Sequence, residues 1–349
     1  MEFSNSLIHW YLQNKRNLPW RDTTNPYLIW LSEIMLQQTR VAQGLPYYLA
    51  FTDAFPTVFD LAHATEEYVL KLWQGLGYYS RARNLHATAK YIAFDLNGDF
   101  PRTYNELLKL KGIGEYTAAA IASFSYNEPV AVLDGNVFRV LSRYFNVDSD
   151  ISDSKTKKEF QSLAQELLLK DNPSLFNQAI MEFGALQCVP KNPNCNSCVL
   201  NSSCAALMYK KVSELPVKTK KTKVTDRYLN YLILKDSDAN YIVQKREGKG
   251  IWENLYEFPL IETAQLLIEA DFMAQLTEMQ FFGYKPNAIF SLNSQVLQHK
   301  LSHQNLYIRF YQLNFDVQLP QSKSLVEINE LPFPIVIHNF MTSNYFNSL

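Results

Sequence analysis

Apolar residues along positions 1–210 recur at helical intervals and are separated by short polar connections. Between Tyr27 and Val41, residues Leu28, Leu31, Ile34, Met35 and Leu36 fall at roughly helical spacing, which predicts a helix. Leu107–Lys111 stops at Gly112, and Ala118–Ser125 is a small-residue segment that would pack closely. Leu163–Leu169 and Phe176–Phe183 have the same character, with Asp99-Phe100-Pro101 and Asp171-Asn172-Pro173 as punctuation. Past residue 227 the period changes. Tyr228–Leu234 and Tyr241–Lys245 flank the turn-rich run Asp236–Asn240, which predicts a hairpin. Leu306–Phe315 alternates as a strand does, and Thr263–Ala274 predicts a helix. An all-α domain followed by a small α+β domain is the expected architecture, with no internal repeat.

The stretch 209–227, YKKVSELPVKTKKTKVTDR, is basic, lacks a sustained apolar period and contains Pro216, as an interdomain linker would. The expected boundaries are therefore 1–208, the linker 209–227, and 228–349. A length of 349 residues suits two cores better than one. The 47% hydrophobic and 19% charged composition is that of an ordinary globular protein. Neither a membrane span nor a secretory leader is visible, so a cytoplasmic location without membrane contact is expected. A net charge of −1 argues against a nucleic-acid partner, but its distribution softens that. Residues 1–224 hold 24 basic and 21 acidic side chains, against 9 and 13 from residue 225 onward.

All four cysteines fall within one short loop, as C-x6-C-x2-C-x5-C: Cys188, Cys195, Cys198 and Cys204. Four thiolates so placed can enclose a tetrahedral zinc or a cubic iron–sulfur cluster, and spacing alone leaves both open. A second signal is Leu110-Lys111-Gly112-Ile113-Gly114 ahead of the apolar run Tyr116–Ser125. Gly112 and Gly114 let a tight turn expose backbone N–H groups at a helix N-terminus, an arrangement that cradles phosphate. Leu133-Asp134-Gly135-Asn136-Val137 then offers a carboxylate after an apolar run.

This hairpin, loop and aspartate, with the cysteine spacing, resemble the endonuclease III superfamily of helix-hairpin-helix DNA glycosylases. Leu18–Arg21, Trp30–Thr39, Gly75–Leu85 and Leu133–Val137 are similar to the MutY-type adenine glycosylases, and the likeness covers nearly all of residues 7–207. The second domain resembles that family's Nudix-like domain, best at Lys249–Pro259. The resemblance implies an all-α glycosylase domain with a 4Fe–4S loop over 188–204, a C-terminal α+β domain, and a monomeric bacterial enzyme of the nucleoid. Its partner would be double-stranded DNA carrying adenine opposite 8-oxoguanine or guanine. No glutamate-rich Nudix box is present, so pyrophosphohydrolase activity is not expected.

By the same resemblance Glu33 is the acid that protonates adenine N7, and Asp134 the stabiliser or transient nucleophile at C1′. Tyr116 and Asn136 would support Asp134 and the attacking water. Trp20, Arg21, Leu36, Val41 and Glu182 would line the pocket for the flipped base, while Gln38, Thr39 and Tyr78 probe the stack beside the lesion. Ser302 and His303 would read 8-oxoguanine from a loop in which Leu301 replaces the family's Phe. Tyr116 stands where bifunctional relatives need a lysine, and a phenol cannot form an imine, so hydrolysis without strand cleavage is expected. Phe138 stands where some members carry a lysine, so no cation acts there. The competing readings are a thymine-mismatch or oxidised-pyrimidine glycosylase, and a DNA-lesion binder without catalysis.

Overall fold

The computed structural model describes residues 2–220, 223–293, 295–343 and 346; Lys221 and Thr222 of the expected linker lie outside the described residues. By internal contacts the chain divides into two compact units, residues 1–63 with 84–220 and residues 64–83 with 221–349.

The first unit is helical, with α1 (Glu2–Asn14), α2 (Pro26–Met35), α3 (Val41–Ala54) and α4 (Val58–His63) preceding the excursion into the second unit. That excursion carries α5 (Glu66–Leu72) and the start of α6 (Ser80–Lys90). The first unit then continues through α7 (Tyr104–Leu107), α8 (Glu115–Tyr126), α9 (Gly135–Phe145), α10 (Ser154–Leu167), α11 (Pro173–Leu186) and α12 (Ala205–Met208). The helix expected through Val41 is two helices. Asn25 caps α2 by accepting from the Tyr27 amide, and Gln38 at φ 55 turns the chain before α3 begins. Residues Thr117–Ser123 of α8 are all buried, so this small-residue helix packs closely against α2, α7 and α11. Trp10 of α1 meets Phe183 of α11 edge-on at 5.0 Å, within a core that includes Leu7, Ala120, Val137, Leu141, Phe160 and Ile180.

The second unit is built on a sheet of β1 (Thr225–Lys235), β4 (Leu260–Thr263), β5 (Ala288–Ser291), β6 (Leu297–Lys300) and β7 (Gln304–Asn314); β2 (Gln244–Lys245) pairs separately with β3 (Tyr256–Glu257). Strands β1 and β7 run parallel in the middle, with β4 on β1 and with β5 and β6 on β7. The inner run Leu229–Leu234 is buried without alternation, as expected of a strand covered on both faces. Successive side chains show the two covers: Phe310 stacks on Phe340 of α15 (Ile335–Met341) at 3.7 Å, while Tyr311 packs on Phe272 of α13 (Glu269–Glu278) at 5.1 Å.

Three expectations change here. The turn at Asp236–Asn240 closes, with the Asp236 amide donating to the Asn240 carbonyl at 3.0 Å, yet only Lys235 and Tyr241 form a bridge before the strands part. Thr263 ends β4, and the helix begins at Glu269. The third concerns residues 64–83, grouped by sequence with the first domain. Glu67 accepts from the Tyr256 hydroxyl at 2.8 Å and Lys245 at 3.2 Å, and Glu66 from the Asn254 amide at 2.6 Å. Lys71 donates to the Asn329 and Leu331 carbonyls, and Arg83 pairs with Glu253 at 2.8 Å. These bonds tie the segment into the second unit.

Candidate active site

Glu33 projects from α2, buried, with its Oε2 accepting from the Tyr116 hydroxyl at 2.7 Å. Tyr116 also lies 3.9 Å from the Met181 sulfur. Burial pushes the Glu33 carboxyl up to about 7, an effect the Tyr116 bond and Arg21 oppose and Asp134 reinforces. A carboxylic acid that holds its proton near neutrality can deliver it to a leaving base.

Asp134 is the N-cap of α9. Its Oδ1 accepts from the amides of Asn136 and Val137 at 2.9 and 2.8 Å, and its Oδ2 from the Asn136 side chain at 2.7 Å. Capping alone would explain two of these bonds. Here burial also lifts the Asp134 carboxyl above its ordinary value, against the pull of its donors and of Arg139, and the group lines the same cavity as Glu33. Asn136 is fixed in turn by Arg139, whose Nη2 donates to the Asn136 Oδ1 at 2.7 Å and to the Gly184 carbonyl at 2.6 Å. The Arg139 Nε donates to the Cys188 carbonyl at 2.7 Å.

The cavity, about 580 Å³, gathers Trp20, Arg21, Glu33, Leu36, Thr39, Val41, Tyr116, Asp134, Asn136 and Glu182, ten of the residues singled out in the sequence. A second cavity of about 780 Å³ shares Glu33, Leu36, Tyr116 and Asp134 and adds Gln38 and Gly114. Gly112 lines neither; its φ of +78 forms the hairpin turn, where an added Cβ would come within 2.7 Å of Asn84. Tyr78, Ser302 and His303 belong to the second unit and are exposed. Ser302 Oγ and His303 Nδ1 lie 3.2 Å apart in the turn between β6 and β7.

Sequence reasoning missed Arg16. Glu182 is 1% exposed, and both its oxygens are occupied: Arg16 donates through Nε at 2.9 Å and Nη2 at 2.5 Å, Arg21 through Nη1 at 2.8 Å and Nη2 at 2.6 Å. In Asn14-Lys15-Arg16-Asn17 nothing distinguishes Arg16 from a solvated surface arginine. Arg139 was also missed, although its place one turn after Gly135-Asn136 on the same helix was a usable signal.

The four cysteines line one further cavity with Val140, Phe183, Leu200, Leu207 and Val212 among its apolar walls. The Leu200 amide approaches the Cys198 sulfur and Arg143 Nη1 the Cys188 sulfur, each at 3.4 Å. Among the described residues, no three His, Cys, Asp or Glu side chains are grouped as a single metal ion would need.

Residues 31–166 match the HhH-GPD superfamily base excision DNA repair protein family, and residues 230–343 the NUDIX domain. The chain is 38% identical over 308 residues to an adenine DNA glycosylase of Buchnera aphidicola subsp. Baizongia pistaciae, covering 88% of this chain and 84% of that protein. The chain belongs to the adenine DNA glycosylase family. The human member is 44% identical over 213 residues, covering 58% of this chain and 39% of its own. Among solved structures, a thermostable thymine-DNA glycosylase is similar at 28% identity and TM-score 0.55, covering 59% of this chain and 95% of that one. A trapped endonuclease III–DNA covalent intermediate shares the fold at TM-score 0.52 and 22% identity, over 59% of this chain and 94% of that one. The relatives are named adenine DNA glycosylases, and the matching family is one of base excision DNA repair proteins. Among the described residues no helix is long and apolar enough to cross a membrane.

Proposed function

We propose that the chain is a monofunctional, monomeric adenine glycosylase whose substrate is adenine opposite 8-oxoguanine, or opposite guanine, in double-stranded DNA. The observation that carries this reading is the buried Glu33, bonded to Tyr116 in one cavity with Asp134. Adenine leaves readily only after ring protonation. Glu33 donates that proton to N7, while the Asp134 carboxylate, held by Asn136 and two backbone amides, stabilises the positive charge that develops at C1′. Tyr116, a phenol rather than an amine, is the residue bonded to Glu33 in the cavity that Asp134 lines, which supports hydrolysis by water rather than imine formation.

The flipped adenine enters between Trp20, Leu36 and Val41, with Arg21 held in place by Glu182. Gln38, Thr39 and Tyr78 act at the stack, and the Gly112 and Gly114 hairpin carries a phosphate. Ser302 and His303 meet the lesion's N7–H. The domain roles follow: glycosylase over 1–208, of which 64–83 pack with the second unit, and lesion recognition over 228–349, joined by 209–227, whose last residues enter β1.

Cys188, Cys195, Cys198 and Cys204 hold a 4Fe–4S cluster. All four cysteines line one largely apolar cavity, a setting that suits a polynuclear cubane. The Leu200 amide and Arg143 Nη1, directed at two of the sulfurs, would donate to the cluster's ligand atoms. The cluster supplies a rigid structural node there. Iron and sulfide analysis of purified protein checks this, and zinc without iron would refute it.

The deciding experiment is single-turnover cleavage of duplexes with 8-oxoguanine opposite adenine, cytosine or thymine, read with and without alkali. Adenine loss from the first duplex alone, with strand breaks only after alkali, is expected. Release of thymine, or breaks without alkali, would overturn the reading.

A further inference from the structure

Tyr78 occupies the loop Gly75–Tyr79 with its backbone in the left-handed region, φ 50, and its ring 44% exposed. A bulky residue holds that conformation only where its surroundings impose it. Those surroundings centre on Arg81. Its guanidinium lies 5.3 Å from the Trp73 ring and 5.4 Å from the Tyr78 ring, so one planar cation is shared by a buried indole and an exposed phenol. Its Nη2 donates to the Gly77 carbonyl at 3.1 Å, and its amide donates to the Tyr78 carbonyl at 2.9 Å.

The floor beneath is fixed. Trp73 is fully buried and donates through Nε1 to the same Gly77 carbonyl at 3.0 Å, while Gln74 accepts from the Phe333 amide at 3.0 Å. Burial pushes Arg81 down to about 10, which leaves it a cation at neutral pH. With two rings and the loop carbonyls around it, this guanidinium is arranged to hold a loop rather than to meet a phosphate.

We infer that Arg81 is a positioning residue for Tyr78, presenting the phenol as a preset plate that stacks into the duplex beside the lesion. The inference rests on the reading of Tyr78 proposed above. A ring already held in place loses little freedom on binding, so more of the stacking energy appears as affinity.

The test is a double-mutant cycle on the full chain. The probe is a duplex with 8-oxoguanine opposite 2′-fluoro-2′-deoxyadenosine, which resists cleavage. Tyr78→Ala is expected to weaken binding about tenfold, and Arg81→Gln about fivefold. In the double variant Arg81→Gln is expected to add nothing to Tyr78→Ala. Losses that multiply would mean Arg81 acts on DNA or fold independently, and would overturn the inference while leaving the enzymatic reading intact. Wild-type binding by Tyr78→Ala would overturn the assignment of Tyr78 and the inference together. Should Arg81→Gln not fold, Arg81→Lys takes its place in the cycle; it keeps the charge without the planar face, and the same outcomes decide.

Discussion

The Tyr116 hydroxyl donates to Glu33 Oε2 at 2.7 Å, and this bond opposes the burial that keeps Glu33 protonated. Burial wins, at about 7. The acid form is therefore full well below that value and is lost as pH rises through it. Single-turnover adenine release is expected to fall about tenfold per unit above pH 7, and to fall again on the acid side as the Asp134 carboxyl, itself raised by burial, takes up its proton. Tyr116→Phe removes the donor that favours the carboxylate, so the alkaline limb should move to higher pH. A limb that moves to lower pH would mean the phenol stabilises the protonated form instead.

Glu33→Gln keeps the shape and removes the proton. Release is expected to slow by roughly 10²–10⁴. The same change should alter stability in a direction fixed by linkage. The folded-state value lies above the ordinary 4.5, so the wild type is most stable below that value and loses stability as pH rises through about 7. The loss is roughly 3 kcal/mol. Chemical denaturation at alkaline pH should find the Gln variant more stable than wild type, although it is nearly inactive. Equal stability across the pH range would mean Glu33 is not desolvated as its burial indicates.

Glu182 carries the opposite sign. Burial raises its carboxyl, but Arg16 and Arg21 outweigh that and hold it at about 2. Its contribution is present above the ordinary carboxylate value and is lost as pH falls toward 2. Glu182→Gln leaves Arg21 short of its counter-ion and is expected to cost about 3–5 kcal/mol in urea unfolding at neutral pH. Arg16→Ala should cost much less, since Arg16 is 35% exposed and Arg21 still pairs with the carboxylate. A Gln variant of wild-type stability would show that the two guanidiniums solvate themselves without Glu182.

What was legible in the sequence had a short range. Glu33, Asp134 and the cysteines stand inside compact motifs, so their neighbours along the chain identify them. The Arg16–Glu182 pair spans 166 residues, and neither partner's local sequence points to the other. The attachment of 64–83 to the second unit was invisible for a related reason. Some of its bonds end on Tyr256, Asn254 and backbone carbonyls near residue 330, which are uncharged groups. Its ion pairs Glu67–Lys245 and Arg83–Glu253 span 178 and 170 residues, so neither partner's local sequence points to the other. Local backbone geometry was missed as well. A left-handed Gln38 split one apolar run into two helices, and a helical period was read into Thr263, which pairs with Tyr228 in the sheet.

Gly184 offers a test of how tightly the Asp134 support is packed. A Cβ there would come within 2.6 Å of the Asn136 Cβ and 3.0 Å of its backbone oxygen, neither of which is the far end of a flexible side chain. Asn136 is tied to Asp134 at 2.7 Å and to Arg139 at 2.7 Å, so it cannot step aside without moving both. The Gly184 carbonyl is itself an acceptor for Arg139. Gly184→Ala is therefore expected to destabilise the fold by about 1–3 kcal/mol. It should also slow adenine release about 10²-fold, because a small displacement of Asp134 misaligns it with the sugar. Gly135→Ala is the stability control: outside its chain neighbours and its own helix backbone nothing lies within 4 Å of the added Cβ, and its thermal midpoint should stay near wild type. If Gly184→Ala keeps both its midpoint and its rate, the helix pair α9–α11 has slack that these distances do not allow, and Asn136 does not govern the position of Asp134.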